Sequence, residues 1–383
     1  MKKKVNVLQV GLGEKEYSGV SNWMFEHYKQ LNHERVHFDF LFCRENTLAL
    51  KQGSDVLKDS KIYAFNLSQI VKSKFLQYVL FYKRFNDFLK NHSYDVIHVN
   101  SGSYPLQTIV AIVSKKRKVK LHIAHSHSAH NNKSGKKQII LNFFAPIAKK
   151  LIVNKSDYLF ACSDAAGEYL FGEKAEYRIL PNGIEIAKYR YNQNVRNEIR
   201  LNEKISDENI IYCYVGRLAK SKNLMFMLDV FNQLHKINEK SSLWIIGEGE
   251  MRESLESQIR NYGLGDVVKM WGERNDVSVL LQGADAFLFT SFFEGLSLVV
   301  IEAQASGIPV FAADCISEEH KVTSLMHFCS LDKSEKEWAD WITGLVDSNE
   351  DRRDTSEEIT EAGYNIQKTA EWLENFYCEK VEN

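Results

Sequence analysis

Glu294 and Glu302 stand eight positions apart, the first in the loop Ser291-Phe292-Phe293-Glu294-Gly295-Leu296-Ser297-Leu298 and the second inside the apolar stretch that follows it. The opening amides of a helix starting there, Leu296 to Leu298, would point outward with the positive end of the dipole and could hold phosphate oxygens. Glu302, two turns on, can return to the same pocket from within the helix. Two carboxylates beside a phosphate cradle suit a sugar nucleotide, whose sugar and ribose hydroxyls both need acceptors. Upstream, Gly216-Arg217-Leu218-Ala219-Lys220-Ser221-Lys222-Asn223 gathers a guanidinium and ammonium groups in one loop. That is an anion site suited to a diphosphate, with Arg217 binding bidentately. Taken alone, the loop is no more than a solvated basic turn, and Glu302 no more than a buried or surface acid. A third cluster, "HIAHSHS", carries His122, His125 and His127 with Ser126 and Ser128, and His130 follows. On a strand His125 and His127 share one face, and with no Asp, Glu or Cys nearby they make a poor metal site, so no metal is expected.

Each of these clusters directly follows a short apolar run. In the first half the runs are "VNVLQVG", "VHFDFLFC", "KIYAFNL", "YDVIHVN", "KLHIAHS" and "YLFACS"; in the second they are "IIYCYVG", "SLWIIGEG", "VVKMWG", "AFLFTS" and "PVFAAD". Most lead through a small or polar residue into a helical pattern such as "NLMFMLDVFNQLHKI", which is repeated βα. Strands buried on both faces and linked by helices form parallel sheets, and 383 residues exceed one ordinary core. The chain therefore reads as α/β, with two doubly wound domains. Their boundary falls in "RILPNGIEIAKY", where Pro181-Asn182-Gly183 supplies a fixed φ and then residues that tolerate positive φ, a tight turn after a strand. Open parallel sheets bind ligands at the carboxyl ends of their strands, where all three clusters lie.

The opening stretch "VLQVGLGEKEYSGVSNWM" invites a dinucleotide reading that its spacing rejects. After Gly11-Leu12-Gly13 the third glycine position is Glu16, a carboxylate where the backbone must approach pyrophosphate. Gly19, ahead of a helix containing Trp23 and Phe25, is the glycine left for a phosphate loop. The six cysteines have no short spacing and read as reduced thiols. "MKKKVNVLQVG" is a first strand rather than a signal peptide, and no run approaches the roughly 20 apolar residues of a membrane span. The expectation is a cytoplasmic protein. Net charge is −1, but residues 1–180 carry 28 basic and 15 acidic side chains while the remainder carries 21 and 35. This polarity points to an anionic surface or ligand on the basic half, or to no more than solvated faces. The stretches 68–91 and 136–155 combine wide apolar faces with lysines, which suits either core helices or an interfacial face on anionic lipid. Nothing in this pattern calls for nucleic acid.

"VGRLAKSKN", "IIGEGEMRESLE", "VVKMWG" and "ADAFLFTSFFEGLSLVVIEAQASGIPVFAAD", in that order, resemble the donor domain of retaining glycosyltransferases of family 4, in which Glu294 and Glu302 match the E-x7-E signature. The likeness is strong over roughly 210–315 and looser in the first half, through the glycine loop, "HIAHSHS" and "LPNGIE". It implies the GT-B fold, two Rossmann-like domains facing across a cleft. Residues 1–182 would bind the acceptor, joined by a returning helix over about 365–383 anchored by Trp372, Phe376 and Tyr377. Residues 183–364 would bind the donor. Arg217 and Lys222 would neutralise the diphosphate and the leaving group, Glu294 would hold hydroxyls of the transferred sugar, and Glu302 those of the ribose. Amides of Gly295, Leu296, Ser297 and Leu298 would cradle phosphate, with Gly19 closing near it. His125 or His127, with a lean to His127, would stand near the acceptor. No cofactor or metal is implied. The implied mechanism is front-face transfer, in which the departing diphosphate takes the acceptor proton. The implied substrates are a UDP-sugar and a lipid-linked saccharide or glycan used for capsule or exopolysaccharide, handled at the inner face of the plasma membrane with peripheral contact to anionic lipid. Two other readings stand beside it: a sugar-nucleotide epimerase of the same architecture, and a non-catalytic partner of an active transferase.

Overall fold

Val5 and Val7 alternate with Leu8 and Val10 along the first apolar run, and in a parallel sheet covered on both faces each set meets a different layer of helices. The computed structural model describes residues 4–13, 19–44, 57, 59–128, 136–346 and 352–382. The chain divides into two units, Met1–Gly183 with Ile366–Asn383, and Ile184–Asn365. In the first unit seven strands pair in the order β3-β2-β1-β4-β5-β6-β7, all parallel. They are β1 (Val5–Gly11), β2 (Val36–Phe42), β3 (Ile62–Ala64), β4 (Val96–Asn100), β5 (Leu121–Ser126), β6 (Tyr158–Ala161) and β7 (Arg178–Ile179).

Strand parity sorts the core of this unit. Val5, Val7, Phe38, Phe40, Val96, Leu121 and Ile123 face the helices Gly19–Gln30 and Ile366–Glu382, which bring Trp23, Phe25, Tyr28, Leu373, Phe376 and Tyr377. Leu8, Val10, Leu41, Ile97 and Val99 face the helices Lys74–Asn91 and Tyr104–Lys116, which bring Phe81, Phe85, Leu106 and Val110. Each such side chain removed from water contributes about 1.5–3 kcal/mol. The lysine-bearing stretches are thus split in role. Phe81 and Phe85 are core, whereas Phe75, Leu76 and Val79 at the start of the same helix stay exposed, as do Phe144 and Ile147 further on.

The second unit repeats the strand order with six strands, β10-β9-β8-β11-β12-β13. They are β8 (Ile210–Val215), β9 (Ser241–Ile246), β10 (Val268–Gly272), β11 (Ala286–Phe289), β12 (Val310–Ala313) and β13 (Met326–Cys329). One contiguous core joins them to the helices Leu224–Ile237, Val277–Gly283, Leu298–Ala305 and Glu335–Thr343. Both sheets are Rossmann-like, and each reverses its winding beside its first strand, between β1 and β4 and between β8 and β11. That reversal is where an open α/β sheet leaves a crevice at its carboxyl ends. All eleven apolar runs are strands. β7 and β13 were not anticipated, being two and four residues long at sheet edges, with β7 exposed and β13 half-buried in its middle.

Gly183 has a different reason for being glycine than the turn the sequence suggests. It is absent from the positive-φ positions, but a Cβ on it would come within 2.7 Å of Ile366 Cα. One residue on, Ile184 N donates to Tyr364 O at 2.7 Å and Ile184 bridges Asn365 in parallel. The outgoing and returning segments run side by side too closely for a side chain.

Candidate functional site

In the second unit, the loop after β8 is pressed against the loop after β9. Gly216 N donates to Ile246 O at 3.0 Å, Leu218 N to Glu248 O at 2.8 Å, and Met251 N to Leu218 O at 2.9 Å. A Cβ on Gly247 would sit 2.0 Å from Gly216 O, and Gly247 has φ +136°, so this "GEGE" turn needs glycine on both counts. The loop then makes a single turn, Lys220–Lys222, and enters the helix Leu224–Ile237.

The loop after β11 is tied to that turn. Phe292 N donates to Ser221 O at 3.0 Å and Thr290 Oγ1 to Asn223 O at 3.2 Å. These bonds bring Lys222 and Glu294 into an ion pair, 72 positions apart in the chain, with side chains only 20% and 10% exposed. Glu294 Oε1 also accepts from Ser291 Oγ at 2.7 Å. Burial, and then the charge of Glu294, push the Tyr214 hydroxyl up, and it donates to Arg217 O at 3.1 Å. Arg217 itself is 71% exposed and stands 3.3 Å from Glu250, not from Glu294. A screened pair of that kind is worth about 0–1 kcal/mol and leaves the guanidinium free to move.

The helix after Glu294 spans Leu298–Ala305, so the amides of Gly295 and Leu296 belong to the loop and that of Ser297 to its N-cap. The Ser297 amide is already engaged, donating to His320 Nε2 at 2.9 Å. His320 is buried and its Nδ1 lies 2.9 Å from Ser317 O, so Nδ1 carries the hydrogen and Nε2 accepts. One of the four amides expected to cradle phosphate thus has a protein partner. Glu302 faces Tyr189 of the short helix Ile186–Tyr189; burial raises its carboxyl above the usual range, while the Tyr189 hydrogen bond and Lys188 oppose this. Spacing gave no signal for Tyr189, Ser291 or His320.

In the first unit, the parity that carries Val5, Val7 and Val96 into the core carries polar residues to the carboxyl ends on the same face. Along β1, β4 and β5 these are Gln9, His98, Asn100 and His125, with His127 just beyond; Gln9 is in register with His98 and Asn100 with His125. All but His127 are fully or nearly fully buried. The rings of His98, His125 and His127 surround Trp23, and His125 and His127 stand 4.0 Å apart by centroids. His98 Nδ1 lies 2.5 Å from Tyr377 Oη, and its Nε2 lies 3.2 Å from His125 Nδ1. Gln9 Nε2 donates to the same Tyr377 hydroxyl at 3.3 Å, and Asn100 Nδ2 donates to Gln9 Oε1 at 2.7 Å. His127 Nε2 lies 3.0 Å from Asn100 Oδ1, and its Nδ1 lies 3.2 Å from Asn182 Oδ1, so the ring stands between two amide oxygens and has one hydrogen to give.

Desolvation keeps these imidazoles neutral. It lowers His27 to about 4 and His127 to about 3, and holds His98 and His125 well below the ordinary value. His125 is wholly buried whereas His127 is part-exposed, so of the two only His127 offers a ring edge to a ligand of this unit. His122 points to the opposite face, with both ring nitrogens buried and unbonded. Among the described residues no group of three or more His, Cys, Asp or Glu could hold a metal ion. Gly19 is the first residue of the helix Gly19–Gln30, but its surroundings, Glu16 and His130 lie outside the described residues.

A family model described as Glycosyltransferase Family 4 matches residues 17–188, and one described as Glycosyl transferases group 1 matches residues 195–362. The chain is a glycosyltransferase with these two domains. The transferase is 26% identical over 369 residues to a Bacillus subtilis protein bearing the glycosyltransferase name EpsF, covering 94% of this chain and 93% of that one. It is 23% identical over 390 residues to the Escherichia coli UDP-Gal:alpha-D-GlcNAc-diphosphoundecaprenol alpha-1,3-galactosyltransferase, covering 96% and 95%. HepE from Anabaena, solved in complex with UDP, superposes with a TM-score of 0.69 at 16% identity, covering 99% of this chain and 97% of that one. The fold is GT-B.

Proposed function

We propose that this glycosyltransferase moves a sugar, with retention at the anomeric carbon, from a UDP-sugar to a hydroxyl of a lipid-linked saccharide or glycan in polysaccharide synthesis. The observation that carries the reading is the Lys222–Glu294 ion pair, held with Ser291 at the carboxyl edge of β8 and β11 next to the start of the helix Leu298–Ala305. A cation and a carboxylate held against each other there are available to a ligand that needs both. Lys222 goes to the diphosphate and Glu294 to hydroxyls of the donor sugar. Arg217 adds a bidentate contact to the phosphates, the amides of Gly295, Leu296 and Leu298 supply further donors, and Glu302 takes the ribose hydroxyls.

The bond from the anomeric carbon to the diphosphate oxygen breaks as the acceptor oxygen bonds to that carbon on the same face. The acceptor proton passes to the departing diphosphate. His127 orients this exchange without acting as the base, since a neutral imidazole lowered to about 3 is a weak proton acceptor. The UDP in HepE and the UDP-galactose and diphosphoundecaprenol in the E. coli relative's name favour this donor and acceptor. Among the described residues no helix is long and apolar enough to cross a membrane. The exposed Ile70, Phe75, Leu76 and Val79, with Lys72 and Lys74 beside them, suit peripheral contact with anionic lipid at the inner face of the plasma membrane.

The test is to incubate the protein with UDP-, GDP- and ADP-sugars, with and without polyprenyl-diphosphate-linked saccharides. UDP release that depends on the acceptor, with an axial product linkage from an axial donor by NMR, is expected. An inverted product linkage would overturn retention, and conversion of the donor sugar without any acceptor would overturn transfer.

A further inference from the structure

His127 has two ring nitrogens and one hydrogen to place, and the residues behind it decide where it goes. Asn100 stands between His127 and Gln9, so its amide has two orientations. With Nδ2 toward Gln9 it also lies 3.4 Å from the backbone carbonyl of His98 and can donate to it; turned over, Oδ1 would face that carbonyl, oxygen against oxygen. Asn100 Oδ1 is therefore left facing His127 Nε2, which must carry the hydrogen.

The same direction carries on to the far end of the network. With Gln9 Oε1 accepting from Asn100, Gln9 Nε2 donates to Tyr377 Oη, whose own hydrogen goes to His98 Nδ1. His98 then carries its hydrogen on Nε2 and donates to His125 Nδ1, which leaves the His125 hydrogen on Nε2. That atom has no hydrogen-bond partner among the described residues. The His98 carbonyl, through Asn100, thus sets the direction of one chain of hydrogen bonds.

We propose that Asn100 is a positioning residue that fixes His127 as the Nε2–H tautomer, with Gln9 and Tyr377 holding Asn100 in turn, so that His127 presents Nδ1 as a hydrogen-bond acceptor. Asn182 stands with its Oδ1 3.2 Å from that nitrogen and is part-exposed; the proposal requires its amide to turn over, so that the NH2 end serves the lone pair until a ligand hydroxyl takes its place. The consequence for the reaction rests on the reading that His127 meets the acceptor or the transferred sugar. Among the described residues, the titratable groups facing His127 are the imidazoles of His27, His98 and His125, all neutral, so none of these competes with Asn100 for control of the ring.

Two measurements separate the tautomer from the reading it rests on. In the full-length protein labelled with 15N-histidine, long-range proton–nitrogen spectra, assigned by the signal lost in His127→Gln, should show the His127 hydrogen on Nε2. A hydrogen on Nδ1 overturns the proposal whatever the activity. In kinetics, Asn100→Ala should lower kcat by about ten- to a hundredfold with the donor KM unchanged, as expected for lost orientation. Asn100→Asp, nearly isosteric, should stabilise the imidazolium and give a kcat that rises with pH through the neutral range, where the parent enzyme is flat. Profiles parallel to the parent in both variants would mean that Asn100 only packs, and would overturn the positioning role. Full activity in His127→Ala would instead overturn the part given to His127 in transfer, leaving the tautomer to the spectra.

Discussion

The two sheets of this transferase end in polar clusters of opposite character, although they share a strand order. The cluster on β8 and β11 is built from charges, Lys222 against Glu294 and Arg217 against Glu250, lying on loops and partly open to water. The cluster on β1, β4 and β5 holds imidazoles, amides and a phenol, no formal charge, and is almost entirely buried. The difference follows from what each can hold without a ligand. Opposite charges on neighbouring loops can neutralise each other and separate again when an anion and hydroxyls arrive. The buried imidazoles have no such counter-ion among the described residues and remain neutral, so they act through direction, by which atom donates and which accepts.

The comparison breaks most visibly if the charged cluster proves dispensable. Glu294→Ala should lower kcat by about a hundredfold or more at saturating donor, because it removes an acceptor for the sugar and leaves Lys222 without its partner. Initial rates across a donor titration check this, and near-parental kcat would remove Glu294 from the chemistry.

Acid should separate the two units. The imidazoles of His27, His98, His122, His125 and His127 titrate below the ordinary 6.5 when folded, so the unfolded chain takes up their protons first. Their contribution to stability is complete above 6.5 and is lost as pH falls toward about 3 to 4. Hydrogen exchange followed by mass spectrometry should show β1, β4 and β5 losing protection at a higher pH than β8 and β11. Simultaneous loss would mean that the histidine cluster does not set the acid stability of its unit.

Tyr377→Phe should cost about 1–3 kcal/mol in denaturant unfolding of the first unit, because it leaves His98 Nδ1 buried without its donor. UDP affinity, measured by calorimetry, should not change if the charged cluster binds it alone. The smallest effect is expected at Glu302. Its folded carboxyl is raised, so the stabilising contribution of the protonated form is full below 4.5 and lost as pH rises through the raised value. Glu302→Gln should therefore raise the melting temperature at pH 7, by less than about 4 °C, and leave it unchanged at pH 4.

Most strands could be read because both faces of a parallel sheet demand apolar residues, which leaves dense runs such as "IIYCYVG" and "YDVIHVN". β7 and β13 were lost because an edge strand needs neither length nor full burial. Arg217, Lys222, Glu294 and Glu302 stood out by residue type beside glycines and strand ends. Their partners did not. Nothing local links Glu302 to Tyr189, Ser297 to His320, or Lys222 to Glu294, because each contact is closed by helices and strands folded between its members. Tyr377 reads as an apolar anchor in its amphipathic helix, and its buried side chain does pack that way. Only its place beside Gln9 and His98 makes the hydroxyl a junction of hydrogen bonds.

The sequence alone determined two βα repeats, the loops that carry the charges and the strand that carries the histidines, because periodicity and residue type are local properties. The tertiary structure decided which charges pair, which amide is already taken and which nitrogen of His127 bears the hydrogen. Those depend on the distance and direction between atoms far apart in the chain, and residue type does not encode either.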